Sequence, residues 1–194
     1  MYIPEHFRVE DRQELTAFMR AHNFATLVAM QADRPVATHL PFVVRESDSG
    51  MVLSAHMARA NEHWKAIEGG EVLTIFMGPH GYVSPALYES ESSVPTWNYA
   101  AVHAYGTARL IPPGPVLEAL IQEFDPTYRA QWDDLAESFK AKMIAGIAAF
   151  EIAVHKLEGK YKLSQNRPKV DQASVAAAYD GTELGDLMTR SLKL

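Results

Sequence analysis

Apolar and polar residues follow two different periods along the chain. Near the start, Leu15, Phe18 and Met19 recur at helical spacing, which predicts a helix over residues 9–23. After it, short apolar or alternating runs are separated by turn residues, a pattern typical of strands joined by short connections. These runs predict strands over residues 24–30, 35–44, 51–57, 71–77, 97–111 and 148–157.

Polar and Gly/Pro-rich segments separate these strands. A hairpin loop is predicted over residues 45–50, and Asn61 is expected to cap a short helix that ends at Ile67 before two glycines. Further helices are predicted in an insertion of about residues 115–145, over 116–124 and 133–143. A C-terminal tail of about residues 170–194 is predicted to be helical and broken near Gly181.

Six or seven strands with helices at both ends favour an antiparallel sheet or barrel. We therefore expect one domain over residues 1–194, mainly β with peripheral helices (α+β), built as a β-barrel. A doubly wound parallel sheet is disfavoured because helices do not alternate with strands and no Gly-rich turn follows the first strand. Gly106, near the middle of the longest strand, predicts a bend or bulge.

Composition narrows the classes of protein. The 194 residues are 47% hydrophobic and 22% charged, as in ordinary globular proteins, and the absence of cysteine excludes disulfides, iron–sulfur clusters and thiol nucleophiles. A net charge of −6 argues against a broad nucleic-acid surface. No window resembles a membrane span and the first residues do not resemble a signal peptide, so a cytoplasmic location is expected.

The usual metal and nucleophile motifs are missing. The chain has eight histidines, but no pair has the i, i+4 spacing of a zinc-binding helix. His39, His56 and His103 lie on three predicted strands and could converge, yet without motif spacing no metal site is predicted. The sequence also lacks a Gly-x-Ser-x-Gly turn and a phosphate loop, so the catalytic residues are unknown.

Residues 56–64 form the first stretch with candidate chemistry. His56, Arg59, Asn61 and His63 surround the end of a strand and the start of a helix. A guanidinium beside free helix N–H groups suits an anion, in particular a phosphate. The alternative is a capped helix in which Arg59 pairs with a surface carboxylate.

Residues 95–106 form the second stretch. Trp97 and Tyr99 flank Asn98, whose amide can both donate and accept hydrogen bonds. Stacking surfaces beside such an amide suit a planar heteroaromatic ligand. The alternative is an aromatic-rich strand in a core.

Residues 159–169 form the third stretch and the most basic part of the chain. Ser164, Gln165 and Arg167 offer a dense set of donors for a polar ligand. Two alternatives are a solvated basic turn and a patch that contacts nucleic-acid phosphates. The cations of that patch would be Lys156, Lys160, Lys162, Arg167 and Lys169.

These stretches together resemble a known family. Residues 1–7, 56–64, 95–106 and 162–167 are similar, in order and over nearly the whole chain, to signature segments of the PaiB-type FMN-binding negative transcriptional regulators. The resemblance implies an FMN-binding split β-barrel, antiparallel and Greek-key-like, that forms a homodimer with FMN at the subunit interface. It also implies an association with repression of protease and sporulation genes. One departure is Glu62-His63 after Asn61, where Asn-Pro-Gln is the commonest pattern.

The resemblance further implies roles for individual residues. Thr38, His39 and Leu40 would run beside the isoalloxazine ring, partly through backbone groups. Ser54, His56, Arg59 and Asn61 would hold the ribityl chain and phosphate. Trp97, Asn98 and Tyr99 would approach the flavin from the same or the partner subunit, and Ser164, Gln165 and Arg167 would close the site.

Two other functions stay open. An FMN-dependent oxidoreductase or flavin reductase would act on a small molecule, with His39, His103 or Tyr99 as candidate acid–base groups, and a shared fold does not decide this. A direct DNA-binding repressor is disfavoured as the main activity by the net charge and the lack of a helix-turn-helix pattern. Weak DNA binding is implied by the family label alone.

Overall fold

The computed structural model describes residues 1–47 and 50–193, so the middle of the predicted 45–50 loop lies outside the described residues. The strands are β1 Arg8–Val9, β2 Phe24–Gln31, β3 Arg34–Pro41, β4 Val43–Ser47, β5 Gly50–Ala58, β6 Glu71–Val83, β7 Thr96–Ile111 and β8 Ile147–Lys162. The helices are α1 Arg12–Ala21, α2 His63–Ile67, α3 Pro113–Phe124, α4 Arg129–Asp134, α5 Glu137–Ala145, α6 Lys169–Ala178 and α7 Glu183–Leu192.

The strands form a sheet in the order β3-β2-β6-β7-β8-β5-β4, and β1 also pairs with β8. The pairs β1–β8, β2–β3, β2–β6, β4–β5 and β5–β8 are all antiparallel. Strands that are neighbours in space are thus often distant in sequence. This confirms the predicted mainly β, antiparallel class with peripheral helices.

Contacts divide the chain into two compact units. The terminal unit comprises residues 1–15, 77–102 and 158–194, and the central unit comprises residues 16–76 and 103–157. Each unit draws on separate segments, so the division does not separate consecutive halves of the chain. That residues 1–194 act as a single domain stays a prediction.

Several element boundaries differ from the sequence prediction. The strand predicted over 35–44 is broken at Phe42 into β3 and β4, and β4 continues to Ser47, inside the predicted 45–50 loop. The strand predicted over 71–77 continues to Val83, although Pro79 and Gly81 read as breakers. Gly81 lies against the ring of Tyr179, where a Cβ would overlap it, so close packing explains this glycine. The helix predicted over 133–143 is two helices, because Leu135 is extended, and the last strand runs on to Lys162.

Gly106 lies inside β7, which is continuous from Thr96 to Ile111. A Cβ on Gly106 would approach the carbonyl oxygen of Ala153 to 2.5 Å. Such a contact is too short for any side chain, so the backbone of β7 can approach this carbonyl only with glycine at the position.

The β2–β3 hairpin of the central unit turns in two residues. Ala32 and Asp33 both have positive φ, 47° and 62°, which identifies a type I′ turn. Gln31 and Arg34 close the turn as the first pair of the register. Since hydrogen-bonded and non-hydrogen-bonded pairs alternate from that point, the register fixes which backbone groups of β3 face β2.

The free edge of β3 has few donors. β3 lies at one end of the strand order, and the alternation directs the backbone of positions 35, 37, 39 and 41 away from β2. Pro35 and Pro41 have no N–H, so only Ala37 and His39 present one at this edge.

The core of the central unit is aromatic. Phe42, Phe76 and Phe150 are fully buried, and the ring of Phe42 meets the other two edge-on at centroid distances of 6.0 and 6.2 Å. On the opposite face of β4 and β5, the helix α3 of the insertion packs through Val116 and Leu120 against Val43 and Ala149. One face of β5 therefore packs against the aromatic core and the other against helix α3.

Candidate functional site

Three predicted residues lie in sequence on β3 and point in alternate directions. Thr38 is half-buried and pairs with Leu27, whose side chain shares its face, and Leu40 is buried in the core. His39 is exposed on the other face, where its Nδ1 lies 2.9 Å from Oγ1 of Thr26. Of these three residues, only His39 also has its backbone polar groups at the open edge.

Asn61, Thr38 and His63 form a hydrogen-bonded cluster. Thr38 Oγ1 accepts from Asn61 Nδ2 at 3.2 Å and lies 2.8 Å from His63 Nδ1. Asn61 Oδ1 accepts from the N–H of His63, the first residue of the five-residue helix α2, at 3.2 Å. Asn61 thus satisfies a free helix N–H as predicted, although Glu62, which makes no side-chain cap, directly precedes the helix. The amide of Asn61 is thus engaged within the chain on both sides.

His63 lies beside two predicted site residues, Thr38 and Asn61, but sequence reasoning left it out of the cofactor list. It is 2% exposed, its Nε2 has no partner among the described residues, and burial lowers the pKa of its imidazole. The ring is therefore neutral at pH 7. Its position two residues after a capping Asn was the available signal.

Arg59 follows β5 and is exposed, but its side chain is held. Nε donates to the carbonyl of Ala145 at 3.1 Å and Nη2 donates to that of Ile147 at 2.9 Å, at the end of α5 and the start of β8. Its guanidinium also lies 5.6 Å from the centroid of the Trp64 ring. No carboxylate among the described residues pairs with Arg59, so a fixed positive charge is left for an anion.

Ser54 and His56 lie on the face of β5 that α3 covers. Ser54 pairs with Val43 and His56 pairs with Ala149, and both of these partners belong to the apolar cluster under α3. Ser54 Oγ and His56 Nδ1 are buried without a hydrogen-bond partner in the described chain. Burial lowers the pKa of His56, which favours the neutral ring. Unpartnered buried polar atoms of this kind fit a ligand that supplies hydroxyl groups.

In the terminal unit, Asn98 is completely buried. Its Nδ2 donates to Ser164 Oγ at 2.9 Å and approaches Met188 Sδ at 3.6 Å, and Ser164 Oγ donates back to Asn98 Oδ1 at 3.3 Å. The structure therefore brings these two predicted residues together, but as a pair inside a core. That arrangement matches the alternative of an aromatic-rich core strand for Asn98.

Gln165 is also engaged within its own loop. Its Nε2 donates to the carbonyl of Tyr161 at 2.5 Å, and its Oε1 accepts from the N–H of Leu163 at 2.6 Å. Ser164 has a φ of 69°, so the chain turns sharply here. The predicted donor-rich loop thus uses most of its donors to hold its own shape.

Exposed aromatic rings lie on the opposite face of β7 from Asn98. Trp97 is 54% exposed and contacts the rings of Tyr82 and His80 at centroid distances of 5.9 and 6.3 Å. Tyr99 is half-buried, with the ammonium of Lys160 at 5.4 Å from its ring. These are the surfaces in the terminal unit on which a planar ring can stack.

Two cations of the third stretch are also fixed. Lys162 Nζ donates to Thr96 Oγ1 and to the carbonyl of Trp97, both at 2.6 Å, and burial, followed by the charges of Lys160 and Arg167, lowers its pKa. The Arg167 guanidinium lies 4.0 Å from the centroid of the Tyr88 ring. The basic stretch is therefore partly built into the unit rather than fully solvated.

The described residues contain neither a cluster of metal-binding side chains nor a membrane-spanning helix. No group of three His, Asp or Glu side chains is placed to share a metal ion. No helix in the described ranges has the length and apolarity needed to cross a bilayer.

Known proteins are similar to this chain in sequence and in fold. Residues 1–156 match a family model described as "Putative FMN-binding domain". The chain is 34% identical, over 205 aligned positions, to the protease synthase and sporulation protein PAI 2 of Bacillus subtilis strain 168, with 100% of this chain and 99% of that protein covered. The chain belongs to this FMN-binding family, and FMN is its cofactor.

Solved structures of flavin-binding proteins have a similar fold. The flavocytochrome Anf3 of Azotobacter vinelandii superposes with a TM-score of 0.67 at 20% identity, covering 89% of this chain and 78% of that one. An FAD and heme binding protein of Mycobacterium smegmatis superposes with a TM-score of 0.65 at 20% identity, covering 88% and 79%. The fold is that of the flavin-binding split barrels, which confirms the prediction.

Proposed function

We propose that this chain is a PaiB-type regulator that holds the phosphate of FMN on Arg59 and works as a homodimer. The observation that carries the phosphate assignment is the Arg59 guanidinium, fixed by two carbonyls and paired with no described carboxylate. The regulatory role rests on the similarity to PAI 2 over the whole chain. The cytoplasmic location expected from the sequence belongs to the same proposal.

The other predicted site residues fall into two groups. Some have polar groups that are free to bind a ligand, and the others are hydrogen-bonded within the chain. Ser54 Oγ and His56 Nδ1 would bind ribityl hydroxyls, and the edge of β3 at His39 would run beside the isoalloxazine. Trp97, Tyr99 and Arg167 would supply ring faces and charge from the partner subunit. Asn61, Asn98, Ser164 and Gln165 would support the site through their internal bonds. When bound, FMN supplies one- and two-electron redox chemistry.

The phosphate assignment can be tested by titrating FMN and riboflavin into flavin-depleted protein. We expect FMN to bind at least about tenfold more tightly than riboflavin, because charge-assisted hydrogen bonds to the phosphate are among the stronger polar contacts. In Arg59→Ala this preference should disappear while riboflavin binding persists. Arg34→Ala is the matched control, since Arg34 is an exposed hairpin residue. An undiminished FMN preference in Arg59→Ala would refute the assignment.

The homodimer is supported by an apolar outer face on the β2–β3 hairpin. Phe24 is 68% exposed and Met30 is 59% exposed on β2, on the same face as half-buried Val28. Exposed apolar patches of this kind mark interaction surfaces. Light scattering after size-exclusion chromatography should give twice the mass of 21.6 kDa, and Phe24→Asp should shift the protein toward the monomer. A monomeric parent protein would refute this part.

Catalysis is a second candidate function, favoured by one observation. Thr26 orients His39 on an exposed face, as a general acid or base would need. Steady oxidation of NADH or NADPH that depends on FMN and falls in His39→Gln would support an enzyme. A gel shift with promoter DNA at physiological salt tests direct repression, because non-specific binding weakens as salt rises.

A further inference from the structure

A polar hollow lies in the central unit, outside the residues assigned to FMN. It measures about 470 Å³ and lies between β4 and α3. Its lining residues are Arg20, Val43, Val44, Arg45, Ala119, Gln122 and Glu123. A second hollow of about 380 Å³ also includes Arg20 and Arg45 and follows β4 toward β5. Both volumes are in the range of small-molecule sites.

Two guanidinium groups line both hollows, and neither has a carboxylate partner among the described residues. Arg20 Nε donates to the carbonyl of Val44 at 3.2 Å, which fixes the side chain and leaves its terminal nitrogens available. Arg45 is exposed, and no described carboxylate lies within ion-pair distance of it. Because acidic residues outnumber basic ones in this chain, two neighbouring unpaired arginines indicate a place for an external anion.

The rest of the lining indicates what kind of anion fits. Val43 is buried and Ala119 is partly buried in the cluster under α3, so the end of an apolar body can contact this wall. The Val44 side chain points to the opposite face of β4, where it pairs with Leu53. Glu123 lines the same hollow, and Glu46 and Glu151 line the neighbouring one. These carboxylates disfavour a dianion such as a phosphate monoester more than a monoanion.

We propose that this hollow binds a small organic monocarboxylate with an apolar body. The forked guanidinium groups of Arg20 and Arg45 receive the carboxylate, Gln122 adds an amide, and Val43 and Ala119 contact the hydrocarbon. The carboxylate can come from a simple acid or from an apolar amino acid. An amino acid would in addition place its ammonium group near Glu123.

The experiment uses the full chain as purified, with its FMN content recorded, and two probes of similar shape. 4-Methylpentanoate carries the carboxylate and the branched body, and leucine adds the ammonium. Saturable binding is followed by NMR shift changes of the labelled protein. We expect Arg45→Gln to weaken both probes about tenfold or more, since it removes a charged partner from an exposed position with little effect on folding. Arg34→Gln is the matched control and should bind like the parent.

The outcomes separate the two sources and the failure of the proposal. If leucine binds more tightly and Glu123→Gln removes that advantage, the ligand is an amino acid; if both probes bind alike, it is a simple acid. The proposal is overturned if neither probe saturates up to roughly 10 mM, beyond the weak end of ordinary affinities. It is also overturned if Arg45→Gln binds like the parent, or if inorganic phosphate binds as tightly as the probes. None of these results depends on the FMN assignment.

Discussion

Two polar segments that look alike in sequence use their side chains differently. In the central unit, Arg59 is held by backbone carbonyls yet keeps its charge unpaired by any described carboxylate, and Ser54 leaves a buried hydroxyl without a partner. In the terminal unit, Asn98 and Ser164 hydrogen-bond to each other, and Gln165 hydrogen-bonds to the backbone. A donor-rich sequence therefore marks a binding site only where its donors are not already used inside the fold.

The largest expected difference between the segments concerns two asparagines. Asn98→Ala should lower the free energy of unfolding by about 2–3 kcal/mol, because it leaves Ser164 unpaired in a core and opens a cavity. Asn61→Ala, at a half-buried position, should cost only about 1 kcal/mol. Urea denaturation measures both. If Asn98→Ala costs no more than Asn61→Ala, the contrast between the segments is wrong.

The next effect concerns Arg167. Its guanidinium lies 4.0 Å from the centroid of the buried Tyr88 ring, so Arg167→Ala should destabilise the protein by about 1 kcal/mol. Tyr88→Leu should lower the free energy of unfolding less in the Arg167→Ala background than in the parent, because only the packing of the ring is then lost. A double-mutant cycle measures this coupling. A cycle with no coupling would show that Arg167 does not stabilise the fold through Tyr88 and would leave only its proposed role toward FMN.

Arg59 should show a smaller effect on stability. Because the two hydrogen bonds from Arg59 to backbone carbonyls lie at the surface, Arg59→Ala should lower the free energy of unfolding by only about 0.5 kcal/mol. Arg59→Lys keeps the charge but cannot bridge both carbonyls, so it is the matched variant. A loss above about 2 kcal/mol in chemical denaturation, in the range of a lost buried group, would show that Arg59 is mainly structural.

The smallest effect is a pH dependence that belongs to the central unit. Burial lowers the pKa values of His56 and His63 from 6.5, so below that pH the folded state binds fewer protons than the unfolded state. The free energy of unfolding should therefore be flat above the ordinary pKa and fall as the pH decreases below about 6.5. Burial and Asp11 raise the pKa of Glu14, which acts in the opposite direction at more acid pH.

Denaturant midpoints at several pH values measure this slope. His63→Gln should reduce the slope even if it also lowers stability, because it removes one of the two titrating groups. A stability that does not change across the window would mean that the two imidazoles are as solvated as in the unfolded chain.

Local patterns were enough to predict most elements. The short antiparallel strands, the C-terminal helices around Gly181 and the capping by Asn61 all follow from residues close in sequence. The extension of β6 through Pro79 could not be predicted, since Gly81 is explained by the ring of Tyr179 from a distant helix segment. Sequence patterns report on neighbours within a few positions, and this contact is not among them.

The same limit applied to the candidate site. The sequence predicted a phosphate-binding role for Arg59, which stays a prediction, but the carbonyls that hold its side chain follow it by more than eighty positions, at Ala145 and Ile147. Asn98 and Ser164 are 66 positions apart, so nothing local showed that one would satisfy the other. The FMN family itself could be recognised because its signature segments are spread over the whole chain, and the match over residues 1–156 confirms it.

The prolines on β3 have a consequence for how the protein behaves at high concentration. A strand from another molecule that lay along this edge would find amide donors only at Ala37 and His39, with none at Pro35 or Pro41. A ladder that lacks donors at both ends is a poor template for successive molecules in a fibril. The two prolines therefore offset the aggregation tendency of exposed side chains such as Phe24 and Met30 on the neighbouring strand.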